Sequence, residues 1–360
     1  MALRKCYLDI EAWQHNIHSI QEQWPEQSIL LPIKANAYGH GLSIMIKAID
    51  DRVSGYWVAT LEEAKEVRLY SSKPICVAHY SSCLKSCEML LSLSCDLVIY
   101  DIQQINTFHG YLPQFNRIWL KVNTGMNRLG VNIDEYQDAM RLLKKYVPLE
   151  KIGLLTHLAD TGDTKDNRAQ LDRFRKICKN HHDVSWSNSS GLGFLTKETM
   201  GNWIRPGLLV HGICLDDRLQ YLPLKPVMSL WTEVIQTYEV GLGDQVGYDG
   251  QWVAQDKTQV AIVSLGYADG FPQNCPTWSL YVKGVKCNVI GKVSMDVLCI
   301  DVSGVDQVFA GDKVEIIGPS QTLTALCRDI GESPYALITR LGSRFERIVL
   351  SNERGNRGAL

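Results

Sequence analysis

No apolar run in this 360-residue sequence approaches the roughly 18 residues that a membrane-spanning helix requires. A basic excess is missing too. The 37 Lys and Arg stand against 39 Asp and Glu, which argues against nucleic acid as a partner. The N-terminus reaches Asp9 and Glu11 before any apolar signal region forms, so no secretory signal is expected and the cytoplasm is the expected location. The eleven cysteines are odd in number and include no Cys-x-x-Cys pair. Cys83 and Cys87 lie four apart, a poor zinc site without a second ligand pair, and no metal is expected. Reduced structural thiols in a reducing compartment are the better reading. His181-His182 sits in a polar segment and reads as a solvated loop. Internal repeats, low-complexity tracts, long linkers and a Gly-x-Gly-x-x-Gly dinucleotide turn are absent as well.

What is present describes a globular chain, 45% apolar and 21% charged, long enough for two domains. Through about residue 222, β-rich runs alternate with amphipathic stretches. The strand candidates are Ser28–Ile33, Tyr56–Ala59, Pro74–Ala78, Asp96–Tyr100, Arg117–Val122, Lys151–Thr156, Asp183–Ser187 and Asn202–Ile204. Leu61–Tyr70, Asp134–Lys145 and Asn167–Lys179 carry apolar residues at helical spacing. Eight alternations predict a parallel (β/α)8 barrel over residues 1–222, with a doubly wound sheet as the alternative. Beyond Leu222-Pro223 the texture changes to short runs broken by Gly and Asp: Met228–Val240, Gln259–Ser264, Ser279–Val282, Cys287–Val293, Val297–Val302 and Lys313–Ile317. They predict a mainly β domain over 223–360, finished by a helix at Thr322–Ile330. The first run, Lys5–Ile10, could pair with either domain.

The stretch Leu31-Pro32-Ile33-Lys34-Ala35-Asn36-Ala37-Tyr38-Gly39-His40-Gly41 carries the most chemistry. Lys34 follows directly on an apolar strand, so desolvation should lower its pKa toward the range of a nucleophile or base. Taken alone, it reads equally well as a surface lysine at a strand end. In a barrel, ligand sites collect where the strands end. Lys34 follows the first strand of the predicted barrel, Lys121 to Arg128 the fifth and His157 the sixth. Asn188-Ser189 follows the seventh and Arg205-Pro206-Gly207 the eighth. Each has an ordinary explanation; five in a row do not. The loops after strands seven and eight are where barrels hold phosphate, with Ser189 supplying a hydroxyl and Gly207 close backbone approach. A phosphorylated ligand facing a lysine suggests pyridoxal phosphate in Schiff-base linkage.

Lys34-Ala35-Asn36-Ala37-Tyr38-Gly39-His40-Gly41 resembles the cofactor-lysine signature of alanine racemases. So do Lys121-Val122-Asn123-Thr124-Gly125-Met126-Asn127-Arg128-Leu129-Gly130, Gly266-Tyr267-Ala268-Asp269-Gly270 and Ser294-Met295-Asp296. The motifs span both predicted domains in the family's order. The resemblance implies a pyridoxal-phosphate enzyme that interconverts L- and D-alanine for peptidoglycan, as a homodimer with shared active sites. Lys34 would bind the cofactor and act as the base on the D face. Tyr267 from the second subunit of a head-to-tail dimer would serve the L face, since racemisation needs a base on each side. Tyrosine is a feeble base at its usual pKa of about 10, so neighbouring positive charge must lower it. His157 is the implied partner, in a chain of contacts leading to Arg205. Arg205 would face the pyridine nitrogen and, never releasing its proton, keep that nitrogen unprotonated. Arg128 would fix the substrate carboxylate, and Lys121, carbamylated, would hold Arg128. Tyr38, Ser189, Gly207 and Leu208 would hold the phosphate, with Asn188 among the cofactor contacts. Met295 and Asp296 would reach the site from the partner subunit.

Several positions depart from the family pattern. Leu155 stands where an aromatic is frequent, Ser185 where a histidine is, Ser294 for a cysteine and Lys292 for an arginine. Arg340 is aligned with a tyrosine that helps close the entrance. These changes bear on selectivity more than on reaction type, so a broad-specificity, serine or lysine racemase stays open. A pyridoxal-phosphate decarboxylase would not require Tyr267 or Arg205, and a non-catalytic cofactor-holding protein would lack the second domain.

Overall fold

The computed structural model describes residues 3–160, 164–178, 181, 183–185, 192–193, 195, 201–274 and 277–350. The chain divides into two compact units, Ala12–Ala37 with Gly41–Lys225, and Met1–Glu11 with Tyr38–His40 and Pro226–Leu360.

In the first unit, eight parallel strands follow one another around a ring in chain order. They are β2 (Ser28–Pro32), β3 (Gly55–Val58), β4 (Ile75–Val77), β5 (Leu97–Ile99), β6 (Ile118–Asn123), β7 (Ile152–Leu155), β8 (Val184–Ser185) and β9 (Trp203–Ile204). One seam closes where β9 pairs with β2, Trp203 opposite Ser28 and Ile204 opposite Ile29. At the other, β4 meets β5 through a single parallel bridge between Cys76 and Asp96. The expected (β/α)8 barrel is therefore the observed fold. β3, β4, β5 and β7 are buried at every residue. They read as continuous apolar runs because helices cover the outside while side chains fill the inside. The covering helices include Leu61–Arg68, Tyr136–Leu143 and Lys165–Cys178.

One residue from each of seven strands packs the barrel interior: Leu30, Trp57, Cys76, Val98, Trp119, Leu155 and Trp203. Trp119 and Trp203 meet edge to face, with ring centroids 5.8 Å apart. The Arg117 guanidinium lies over both rings. Leu155 is thus a core residue, fully buried in this layer. His181 is not a solvated loop residue. Its Nε2 lies 2.9 Å from the Tyr136 hydroxyl and its Nδ1 3.2 Å from the Ile152 carbonyl.

The second unit is built on one antiparallel-rich sheet. Its spine is the 13-residue strand β10 (Met228–Val240), whose first half alternates buried and half-buried residues. Irregular register at two points lets β10 pair with both β15 (Lys313–Ile317) and β11 (Thr258–Val263). The strands β12 (Ser279–Val282), β13 (Val285–Ile290) and β14 (Leu298–Asp301) complete the circuit. β1 (Lys5–Asp9) belongs here, antiparallel to β10 and parallel to β16 (Glu346–Leu350). The expected helix runs Leu323–Ile330, and Thr322 caps it by accepting the Ala325 N–H at 3.2 Å. It does not finish the domain, because a second helix, Pro334–Arg340, follows before β16. The strand β16 and the helix Ile10–Gln23 were not anticipated. The first is half charged or exposed, and the second was masked by the strand-like run before it.

Every described cysteine is a free thiol. Among the described residues, no helix is long and apolar enough to cross a membrane.

Candidate active site

The pleat of the barrel strands builds the site. Side chains two residues apart point to the same face of a strand. Trp119, Leu155 and Trp203 fill the barrel core, so Lys121, His157 and Arg205 stand on the same inward face one step nearer the C-terminal mouth. Lys121 is 6% exposed and Arg205 4%. Arg205 donates from Nη2 to the Thr156 carbonyl at 2.5 Å, and its guanidinium lies 4.9 Å from the centre of the Trp57 ring. A flat cation on an aromatic face is held by the ring's quadrupole and cannot readily leave.

Lys34 follows β2 at the start of an unusual turn. Ala35, Asn36, Ala37 and Tyr38 all have positive φ, between 51° and 54°. L-residues avoid this region, at about 1–2 kcal/mol each. The turn is closed by the Ala37 N–H donating to the Ile33 carbonyl (2.8 Å) and the Gly41 N–H to the Asn36 carbonyl (2.9 Å). The Asn36 side chain also accepts the Leu42 N–H at 2.8 Å. Backbone strain of this kind persists only where the surroundings over-determine it, and it concentrates at functional sites.

The electrostatics are lopsided. Burial lowers the Lys34 pKa, with Arg128 and Arg205 adding to the effect and Glu63 opposing it. Lys121 is pushed down to about 7 by burial and then by Arg205, Arg128 and Lys34. Burial and the same four cations hold His157 well below its ordinary value. Four basic side chains and an imidazole thus act on one another among the described residues, and Glu63 opposes them at Lys34. Such a set is complementary to anions.

Arg128 is exposed, on the loop after β6. Asn123 shapes that loop by accepting the Gly125 and Asn127 N–H groups. Arg128 also lines an open cleft of about 350 Å³ with Tyr100, Asp101 and Glu135. Gly207 has φ −89°, outside the region reserved for glycine, and precedes the short turn Leu208–His211, in which Leu208 is buried. Asn188 and Ser189 lie outside the described residues.

Tyr38, Tyr267, Met295 and Asp296 belong to the second unit. Tyr38 is buried, its ring centre 6.0 Å from that of Tyr335. Tyr267 opens a single turn through Asp269 and is 36% exposed, while Met295 is 52% exposed. Their two loops are tied together, the Tyr267 N–H donating to the Ser294 carbonyl (3.1 Å) and the Ala268 N–H to the Met295 carbonyl (3.0 Å). Asp269, wholly buried, pairs with Arg4 at 2.9 Å and Arg344 at 3.4 Å, and Arg344 reaches Asp296 at 2.6 Å. Lys292 pairs with Asp249 at 2.9 Å. Arg340 is exposed and pairs with Glu332 at 2.9 Å, so the aromatic beside Tyr38 is Tyr335 and not a residue at 340.

Sequence reasoning missed a supporting layer. Thr156 donates to the Val122 carbonyl (2.9 Å) and meets the Thr124 hydroxyl at 2.8 Å. Gln170 donates to Thr124 (3.0 Å) and to the His157 carbonyl (3.1 Å). These contacts lash the ends of β6 and β7 to the helix Lys165–Cys178. The adjacency of Thr124 and Thr156 to motif residues was the available signal; Gln170 offered none.

Comparison with known proteins places these features. The profile of the alanine racemase N-terminal domain matches residues 8–214, and that of the alanine racemase C-terminal domain matches residues 227–349. Over 340 residues the chain is 31% identical to the alanine racemase of Actinobacillus succinogenes, covering 92% of this chain and 95% of that one. The crystal structure of the biosynthetic alanine racemase from Pseudomonas aeruginosa superposes with a TM-score of 0.89 at 30% identity, covering 98% and 100% of the two chains. That of the alanine racemase from Bartonella henselae, with covalently bound pyridoxal phosphate, gives 0.88 at 25% identity, covering 97% and 100%.

Proposed function

The chain belongs to the alanine racemase family, and we propose that it interconverts L- and D-alanine with Lys34 and Tyr267 as two bases around pyridoxal phosphate. The observation that carries this reading is Lys34 itself, a desolvated lysine on a left-handed turn at a barrel mouth, flanked by Arg128 and Arg205. Pyridoxal phosphate fits the residues present. Its phosphate and the substrate carboxylate are anions, and Lys34, Lys121, Arg128 and Arg205 act on one another as cations among the described residues. Bound there, the cofactor supplies the conjugated electron sink that acidifies the substrate Cα–H.

The chain's own residues do the rest. Lys34, whose ammonium form burial disfavours, takes the Cα proton on one face as an amine and returns one as the ammonium. The Tyr267 hydroxyl of a second subunit serves the opposite face, and its exposure on its own unit supports that role. Arg128 binds the carboxylate and so sets which Cα bond is presented to the bases. Arg205, clamped between the Thr156 carbonyl and the Trp57 ring, keeps its proton and would face the pyridine nitrogen as a donor that cannot protonate it. Held so, it would keep the cofactor's electron withdrawal moderate, which favours returning the proton over side reactions. Lys121, pushed down to about 7, presents the neutral amine that carbamylation requires, and the resulting acid would hold Arg128. By the family's pattern Tyr38, Ser189, Gly207 and Leu208 would hold the phosphate, Asn188 would contact the cofactor, and Met295 and Asp296 would border the partner's site. A homodimer with shared sites, a cytoplasmic location and a supply of D-alanine to peptidoglycan belong to the same proposal.

The test is chiral chromatography of the cofactor-loaded protein incubated with L-alanine, L-serine, L-lysine or L-arginine. D-alanine is expected to form fastest. Equal or faster turnover of serine or a basic amino acid would replace it with a broad-specificity racemase, and no racemisation of any of them would end the reading. Tyr267→Phe should lose roughly 10²–10⁴-fold in rate while keeping the cofactor's absorbance.

A further inference from the structure

We propose that Glu63 is a positioning residue for Lys34. It ties the left-handed turn carrying that lysine to the end of the neighbouring barrel strand and sets the lysine's readiness as a base. The inference rests on the role given to Lys34 above.

By sequence, Glu63 is the third residue of the helix Leu61–Arg68, where a glutamate ordinarily reaches back to the N-cap amide of Thr60. In the structure that bond is the longest of three, at 3.3 Å. The two short ones lead elsewhere. Oε2 accepts the Ala59 N–H at 2.7 Å, just past the end of β3, and Oε1 accepts the Ala35 N–H at 2.7 Å. Ala35 is the residue after Lys34, and the first amides of a helical turn have no acceptor within the turn. Nearby amides find backbone acceptors, the Ile33 N–H the Trp57 carbonyl across the strand pair and the Ala37 N–H the Ile33 carbonyl. The Ala35 N–H needs an outside acceptor, and Glu63 is it. One half-buried carboxylate therefore joins the ends of β2 and β3 and holds in place a backbone that its own φ angles disfavour.

Charge adds a second effect. Lys34 shares the mouth with Arg128, Arg205, Lys121 and His157, all of which disfavour its ammonium form or are disfavoured by it. Glu63 acts in the opposite direction. Without it, the amine would lose its proton too readily to return one to the substrate.

The experiment measures Lys34 directly. Competitive acetylation of the full-length chain freed of cofactor, read by mass spectrometry at Lys34 across about pH 6 to 11, gives the lysine's titration midpoint. Glu63→Gln should lower that midpoint by roughly half a unit to one unit. Thr60→Ala weakens the helix cap but leaves the Ala35 bond, and should leave the midpoint where it was. Glu63→Asp keeps the charge with less reach and should fall between, and it supplies the measurement if Glu63→Gln does not fold. In the loaded enzyme, kcat should fall about tenfold in Glu63→Gln, with KM for alanine nearly unchanged. An unmoved midpoint in the Glu63 variants, or an equal shift in Thr60→Ala, would overturn the proposal. A wild-type enzyme that racemises nothing would instead remove the function while leaving the midpoints to report the coupling.

Discussion

Lys34 is governed by opposing neighbours, with burial and two guanidinium groups favouring the neutral amine and Glu63 favouring the ammonium. The turn that presents it needs Gly39 as well. Gly39 has φ +77°, and a Cβ there would run into the Ile338 carbonyl. Its own carbonyl accepts both Nε and Nη2 of Arg347, at 3.0 and 2.6 Å. Gly39→Ala should therefore cost roughly 2–4 kcal/mol, combining left-handed strain with a backbone collision. Thermal unfolding should show a melting point lower by several degrees; one within about a degree of wild type would contradict this packing. At this scale the basic residues of the candidate site were legible, because each follows a strand and carries a distinctive group. Glu63 was not, since by sequence it is only a helix-capping glutamate, and Gln170 was not, since its partners just past the ends of β6 and β7 meet it only through the fold.

Among the elements, the seam between β4 and β5 is closed by a single bridge with a buried carboxylate beside it. Asp96, 5% exposed, sits at the bridge that closes it. Its carboxylate accepts the Trp119 indole N–H at 3.2 Å, with the Cys76 thiol 3.9 Å away. Arg117 stands at 3.8 Å but spends its shorter contact, 2.9 Å, on Asp183. Burial therefore outweighs the arginine, and the Asp96 pKa is raised to about 6. A carboxyl raised in the folded state stabilises the fold below its unfolded pKa of about 4 and loses that contribution as pH rises through about 6. Asp96→Asn removes the titration. Relative to wild type, the variant should gain stability between about pH 4 and pH 7, by on the order of 1–3 kcal/mol. Melts of both proteins at the two pH values test this, and a pH-independent difference would refute it. The strands themselves were readable because both faces of each are buried, which leaves unbroken apolar runs. The left-handed turn was not readable, since Ala35, Ala37 and Tyr38 carry no preference for it.

For the whole molecule, the decisive question is whether Lys34 and Tyr267 act from different copies. Tyr267, Met295 and Asp296 are exposed on adjacent, mutually bonded loops of the second unit, which supports a surface completed by another subunit. Mixing Lys34→Ala with Tyr267→Phe under conditions of subunit exchange should then restore one intact site in each hybrid dimer. Recovery of racemisation is the expected result, and none despite proven exchange would exclude shared sites. The sequence by itself determined the barrel, the β-rich second unit and the basic residues at the strand ends. Those properties are local, set by buried runs, period-two alternation and side-chain chemistry. Only the tertiary structure decided that β1 joins β10 and β16, that Leu155 is core, and that Glu63 serves Lys34. Each of these depends on groups far apart in the chain coming within bonding distance, as Ala35 and Glu63 do across 28 positions.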